Sequence, residues 1–315
     1  MTPVSVTFRF YPGLFLLMLV MFLAGCASYN LRQLNKDNEC VRCNLSGLEM
    51  DYLILPNATL READLSGSSL THSVFRRANF ESAILNGVDL TEADWQMSKL
   101  MQTVMTDAIL LKADMKFTNF YKADLTRANL KGADFSQADL DNAILQEANM
   151  EDIQLFLSFL KSCNLKSAKL MRANLKGAQM VGAQLQGADL TDADLTKVNL
   201  QEANLTGAIL IKANLSYGNL TSAKMEGVQL QNAMLQNTDL AGVQLKGANL
   251  SNADLNGANL LETNLTLANL RGANLMGAKF SQTRMDAANL EGAIWFDGSV
   301  CQPESIGVCR KAPAP

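Results

Sequence analysis

The sequence predicts an all-β fold in which the chain winds into a solenoid. Every fifth residue from Leu45 to Trp295 is large and apolar (37 Leu, 7 Met, 5 Phe and 2 Trp), and the register never slips. A small side chain, most often Ala, lies two residues before each of them, with Asn or Asp most frequent in between. Aromatic residues make up only 6% of the chain, and this bias is typical of a repeat array.

The five-residue period favours a solenoid over a helix or a straight strand. On an α-helix, five residues rotate the large side chains about 140° beyond a whole turn, which spreads them around the cylinder. On a straight strand, an odd period sends successive large side chains to opposite faces. One core forms only if the chain bends once per five residues. The last two positions of each unit, as in Lys131-Gly132 and Ser251-Asn252, have the residue types that suit a turn.

This pattern resembles the pentapeptide repeat family, whose consensus A-[DN]-L-x-x recurs over residues 43–297, for example at Ala63-Asp64-Leu65 and Ala128-Asn129-Leu130. The resemblance implies a right-handed quadrilateral β-helix with four pentapeptides per coil. The period alone also permits three sides. A four-sided helix of this length has about 12–13 coils and is about 60 Å long.

Cysteine-containing segments flank the repeats at both ends. The N-terminal segment reads NECVRCNL from Asn38 to Leu45, and the C-terminal segment runs from Ala293 through WFDG to Cys309. Both resemble sequences that flank the repeats in bacterial members of the family. We therefore assign residues 40–297 to the β-helix with its N-terminal cap, and residues 298–315 to a C-terminal cap and tail.

The first residues have the pattern of an export signal. Residues 14–24 read LFLLMLVMFLA, which is too short to span a membrane as a helix and suits the core of a signal peptide. The next motif, Leu23-Ala24-Gly25-Cys26, resembles the lipobox of bacterial lipoproteins, in which the Cys thiol receives a diacylglycerol and the preceding peptide is removed. The alternatives are an uncleaved anchor and a chance match.

The lipobox resemblance sets the predicted processing and location. Residues 1–25 are a lipoprotein signal peptide, Cys26 is the lipidation site, and residues 26–39 are a polar lipidated tether. The predicted location is the cell envelope, on a membrane. Because Ala27 rather than Asp follows the Cys, the resemblance implies the outer membrane, facing the periplasm, if the host is Gram-negative.

Export to an oxidising compartment changes the interpretation of the other cysteines. We predict disulfides between Cys301 and Cys309 and between Cys40 and Cys43, with a redox-active pair as the alternative for the second. A zinc site of these four thiolates within one chain is excluded, because the rod separates the pairs. Cys163 occupies the small inward position and is predicted to be a buried thiol.

No catalytic, cofactor or metal constellation stands out. The single His, His72, lies at a corner position, and no Ser-His-Asp set or Gly-rich phosphate loop is present. Carboxylates such as Asp139 and Asp141, or Asp189 and Asp192, fall where the repeat routinely carries Asp or Asn, which indicates a solvated face. The sequence predicts a protein that is not an enzyme, with an enzyme of unknown type as the remote alternative.

The net charge of the repeat region bears on a second alternative, a protein that imitates DNA. Some members of the family act on DNA gyrase by imitating the shape and charge of DNA. The repeat region has 28 acidic and 21 basic residues, a net charge of −7 with both signs interspersed, which is mild for a mimic, and export separates the chain from gyrase. The net negative charge also argues against a nucleic-acid partner.

The exterior departs from the polar consensus in one region. With 20 residues per coil, Met97, Phe117 and Leu157 fall in one column, while Phe156 and Phe159 stand where other repeats carry polar residues. An exposed apolar strip of this kind marks a contact surface, and the alternative is a bulge that folds back on itself. The sequence thus predicts a rigid binding or scaffold rod with an unidentified protein partner, and leaves self-association open.

Overall fold

The computed structural model describes residues 29–312. Helix α1 spans residues 29–37, and the coils follow it. From Glu39 to Asn274, every fifth residue forms a single-residue parallel β-bridge with the residue 20 positions further along the chain, and the last of these bridges joins Asn274 to Ile294. Four pentapeptides therefore make one coil, and the predicted right-handed quadrilateral β-helix is confirmed. We name its sides by their first bridges: face A (Glu39 with Thr59), face B (Asn44 with Asp64), face C (Glu49 with Ser69) and face D (Ile54 with Val74).

Backbone hydrogen bonds join each coil to both of its neighbours. The N–H of Leu190 donates to the carbonyl of Ile209 at 2.7 Å, and the N–H of Asp189 donates backwards to the carbonyl of Ala168 at 3.0 Å. The same pair of bonds recurs along the rod. Stacking thus satisfies backbone groups that a single coil would leave unpaired.

The corners require a left-handed backbone. Every fifth residue from Arg42 to Gly292 has a positive φ, between 53° and 71°. Gly adopts this conformation without steric cost, whereas an L-residue loses about 1–2 kcal/mol. Most corners nevertheless carry other residues, including Met97 and Leu157, because the hydrogen bonds between coils fix the turn.

The core consists of the two inward columns on each face. Leu155 and Leu160 are fully buried, as are nearly all the large inward side chains, and each such side chain contributes about 1.5–3 kcal/mol when buried. Polar residues in the small inward position are satisfied locally. Ser158, for example, donates its hydroxyl to the carbonyl of Leu155 at 2.6 Å.

The N-terminal end of the core is covered by α1, where the sequence predicted a polar tether. Leu34 in α1 is fully buried, and Asn30 Nδ2 donates to the carbonyl of Asn44 at 3.0 Å. An uncovered first coil would expose its apolar interior, and the helix removes that cost. The tether therefore does not extend over residues 29–37, and residues 26–28 lie outside the described part of the chain.

The C-terminal end is covered by a segment that turns back on the last coil. Val300 and Ile306 pair with Ile294 and Asn289 in antiparallel bridges, and the N–H of Leu290 donates to the carbonyl of Ser305 at 2.8 Å. The cap thus replaces the bonds that another coil would have supplied.

Candidate functional site

The predicted apolar strip lies on the outside of the rod, at the corner between faces D and A and on face A itself. We use the name apolar strip for five residues, Met97, Phe117, Phe156, Leu157 and Phe159, whose side chains are 36–49% exposed. The β-bridges continue through this region without a break, from Gln154 with Asn174 to Phe159 with Gln179. The backbone therefore forms no bulge here.

The strip borders a groove on face A. The groove has a volume of about 390 Å³. Phe117 and Phe159 belong to coils that are two apart, and the coil between them contributes the shorter side chains Gln137, Asp139 and Asp141. Its full lining is Phe117, Thr118, Asn119, Gln137, Asp139, Asp141 and Phe159.

The two carboxylates of the groove are held by backbone donors. Asp139 Oδ1 accepts the N–H of Asp141 at 3.0 Å, and Asp141 Oδ1 accepts the N–H of Lys161 at 2.7 Å. Burial, with a smaller effect from the neighbouring Asp139, raises the pKa of Asp141. The sequence assigned both carboxylates to a solvated face. Arranging the sequence in rows of 20 residues would have placed both carboxylates in the coil between those of Phe117 and Phe159.

Beside the strip, the corner between faces C and D carries a cluster of ion pairs. Arg172 binds Asp152, with 2.7 Å between Nε and Oδ1, and also contacts Glu151, which Lys131 approaches to 2.7 Å. The hydrogen bond from Arg172 holds the pKa of Asp152 below its ordinary value. Exposed pairs of this kind contribute little stability each.

The predicted cysteine pairs lie at opposite ends of the rod. Cys40 and Cys43 are joined by a disulfide with an S–S distance of 2.00 Å, and Cys301 and Cys309 by one of 2.05 Å. Cys163 is a free, fully buried cysteine, and burial raises the pKa of its thiol. The predicted lipidation site, Cys26, lies outside the described residues.

The single His is part of a surface cluster. The ring of His72 stacks on Tyr52 with 4.9 Å between centroids, and its Nδ1 lies 3.5 Å from a carboxylate oxygen of Glu92. Within residues 29–312, no group of three or more His, Cys, Asp or Glu side chains could hold a metal ion. Across the same residues, no helix has the length and apolar character needed to cross a membrane.

The stacked coils, left-handed corners and apolar strip define a quadrilateral β-helix that carries an apolar surface patch. Pentapeptide repeats match this chain in eight copies. The chain belongs to the pentapeptide repeat family, whose members are generally structural or binding proteins. The matched segments are residues 39–77, 58–94, 83–120, 118–155, 160–192, 188–227, 223–260 and 253–292.

Three solved structures illustrate the similarity. HetL, a pentapeptide repeat protein involved in heterocyst differentiation regulation in the cyanobacterium Nostoc, is 28% identical over 86% of this chain and 97% of its own, with a TM-score of 0.21. QnrB1, a plasmid-mediated fluoroquinolone resistance protein, is 20% identical over 78% of this chain and 92% of its own, with a TM-score of 0.23. A pentapeptide repeat protein of the Arabidopsis thaliana thylakoid lumen is 28% identical over 36% of this chain and 72% of its own, with a TM-score of 0.11. No curated protein matches the chain significantly.

Proposed function

We propose that this protein is a non-catalytic rod of the bacterial cell envelope, anchored by a lipid on Cys26, that binds a protein partner through the apolar strip. The lipobox-like motif that ends at Cys26 supports the anchor. Cys26 precedes Tyr29, the first residue of α1, by three positions, a reach of about 10 Å when fully extended. The lipid therefore keeps the capped N-terminal end of the rod close to the membrane, facing the periplasm if the host is Gram-negative.

The observation that supports the binding role is that apolar side chains replace polar ones on the outside of the rod while the buried core continues unchanged. Leu155 and Leu160 remain fully buried beneath Phe156, Leu157 and Phe159, which are exposed. Large apolar side chains on a flat β surface promote aggregation unless something covers them. Met and aromatic residues are also the types enriched at the centres of protein interfaces. A protein partner that covers the strip accounts for both features.

A DNA mimic acting on gyrase fits the surface less well. Such a mimic needs a continuous line of negative charge, and the most regular carboxylate column, on face D, is neutralised within the chain. Arg76 binds Asp94, and Lys116 lies 2.9 Å from Asp114 and 3.3 Å from Asp134. Inhibition of DNA supercoiling by the purified protein at stoichiometric concentration would overturn the proposal in favour of gyrase.

Site-specific photo-crosslinking in intact cells tests the binding role. Leu157 and Leu267 occupy the same corner position in the repeat, with φ of 54° and 61°, and both are exposed (44% and 58%). Leu267 lies at another corner, between faces B and C, and is the matched control. We expect a photoreactive residue at 157 to give a discrete protein adduct and the same residue at 267 to give none. Equal products from both positions would contradict the proposal.

A triple substitution of the strip is the second arm of the test. Phe156→Ser, Leu157→Asn and Phe159→Thr together should leave the melting temperature nearly unchanged and abolish the adduct formed through a crosslinker placed at Met97. Asn is chosen at 157 because it tolerates the positive φ. A marked fall in melting temperature would show that these side chains stabilise the rod itself, and the contact role would be dropped.

A further inference from the structure

The groove on face A is open and has walls of different chemistry. Phe117 and Phe159 lie two coils apart, about 10 Å along the rod axis, and both rings are about half exposed. The coil between them presents Asp139 and Asp141 at the floor. Gln137, of the same coil, lies in the column of Phe117 and Leu157, and the two carboxylates lie beside the strip.

Neither groove carboxylate has a cationic partner, which is also true of many other outward carboxylates in the described residues. Within residues 29–312, no Lys, Arg or His nitrogen lies within 4 Å of Asp139 or Asp141, whereas Asp94, Asp114 and Asp152 each have one. Each groove carboxylate uses Oδ1 to accept a backbone N–H. Lys161 donates its backbone N–H to Asp141, and the charge of its ammonium group adds a smaller electrostatic attraction from beyond 4 Å. Within the described residues, Oδ2 of neither carboxylate accepts a hydrogen bond.

Aromatic faces beside carboxylates favour a cation. Guanidinium and ammonium groups are attracted to aromatic rings, and charge-assisted hydrogen bonds to carboxylates are among the stronger ones in proteins. Burial of Asp141 and its proximity to Asp139 disfavour its negative charge, and a bound cation would relieve that cost. Met97 and Leu157 extend the apolar surface beyond the groove.

We infer, on the basis of the proposed binding role, that the protein partner presents an Arg or Lys side chain between apolar residues. This side chain enters the groove between Phe117 and Phe159, where its charged end donates to Oδ2 of Asp139 and Asp141. The apolar residues on either side of it cover the rest of the strip. The strip thus supplies the contact area, and the two carboxylates select the partner.

Selection from a phage-displayed library of random 12-residue peptides tests this, with the full-length protein in detergent micelles as the target. We expect the wild-type protein to enrich peptides that have an Arg or Lys between apolar residues. A synthetic peptide of the enriched sequence should bind the Asp139→Asn/Asp141→Asn variant about 10-fold or more weakly, the loss expected for a charge-assisted hydrogen bond. Asn keeps the Oδ1 acceptor, so the turns stay intact. Asp239→Asn, on the same face several coils away, is the matched control and should not change the affinity.

The outcomes separate this inference from the proposed function. The wild-type protein could instead enrich apolar peptides without a cation, or acidic peptides, that the triple variant does not enrich. That result would overturn the inference and leave the binding role standing. Enrichment that is absent, or identical for the wild type and the triple variant, would overturn both. The synthetic peptide with Met in place of its cationic residue should also lose about 10-fold in affinity. That measurement does not depend on the folding of any variant, and an unchanged affinity would reject the cation.

Discussion

The side chain of Leu157 covers the backbone of Gly177 in the next coil. A Cβ added to Gly177 would lie 2.6 Å from Cδ2 of Leu157, so the position of this strip residue depends on a glycine 20 residues away. The equivalent Gly207 has a similar positive φ, 66° against 71°, and no atom within 4 Å of such a Cβ. The two glycines therefore differ in whether an added Cβ would contact a side chain of the apolar strip.

Gly177→Ala should displace Leu157 without damaging the fold. Both Gly177→Ala and Gly207→Ala put an L-residue at a positive φ, and we expect each to lose about 1 kcal/mol of stability. Only Gly177→Ala should weaken partner adducts at the strip, because only there must a strip side chain move. Thermal denaturation and crosslinking at Met97 measure the two effects. Equal adduct yields in the two variants would contradict the role of Leu157.

Leu190 tests the interior of the repeat. It is fully buried in an inward column between Leu170 and Leu210, on a face where other coils carry Met. Leu190→Met should lose less than about 1.5 kcal/mol, whereas Leu190→Asp buries an unpaired charge and should lose several kcal/mol. Circular dichroism with heating measures both. A helical far-UV spectrum of the wild type, or equal melting temperatures for the two variants, would rule out this register.

The Cys301–Cys309 disulfide should stabilise the C-terminal cap locally. It joins two cysteines that are eight positions apart, for which the chain-entropy estimate is about 2.5 kcal/mol. Cys301→Ser/Cys309→Ser should lower the hydrogen-exchange protection of Leu290, whose N–H donates to Ser305, and leave that of Leu190 unchanged. Cys163→Ala, which removes a buried thiol far from either cap, is the control. Unchanged protection at Leu290 would show that the cap holds without the bond.

The cap should also loosen in acid. Hydrogen bonds from the Lys311 ammonium, and then from Ser299, hold the pKa of Asp297 well below its ordinary value. A carboxyl whose pKa is lowered by folding contributes its stability above its unfolded pKa of about 4, and loses it as the pH falls through the lowered folded pKa. Protection of the cap amides should therefore decline below about pH 4. Asp297→Asn should have reduced protection at neutral pH and a smaller decline in acid. Parallel curves for the variant and the wild type would contradict this.

The anchor prediction concerns Cys26 alone. Cys26→Ser removes the thiol that a diacylglycerol would modify, so fatty-acid labelling should disappear and the protein should leave the membrane fraction. Cys163→Ser, at a buried position, should keep its label. Equal labelling of wild type and Cys26→Ser would show that the lipoprotein assignment is wrong.

Some features of the fold were not predictable from local pattern. The segment that forms α1 is short and polar, and Leu34 is its only fully buried residue. A helix of this length gains little from intrinsic propensity, so it forms because the open end of the core offers Leu34 a place to be buried. Nothing within residues 26–39 distinguishes it from a tether.

The candidate site was predictable in part. The strip could be located because large apolar residues such as Phe156 and Phe159 replace polar ones at outward positions, and outward positions follow from the period. The groove could not be located in this way. Asp139 and Asp141 resemble dozens of other outward Asp and Asn residues, and their lack of a cationic partner depends on which side chains lie on adjacent coils.

The five-residue period is enough to assign each side chain to the inside or the outside of the rod. The bend after every fifth residue separates inside from outside at each position, whatever the neighbouring coils contain, so Leu190 is inward by its place in the repeat alone. Contacts between outward residues depend instead on how the coils stack. Leu157 meets Gly177 only because four pentapeptides close one coil and place residues 20 apart side by side. The contacts on the surface depend on the number of residues per coil, and the five-residue period alone does not fix that number.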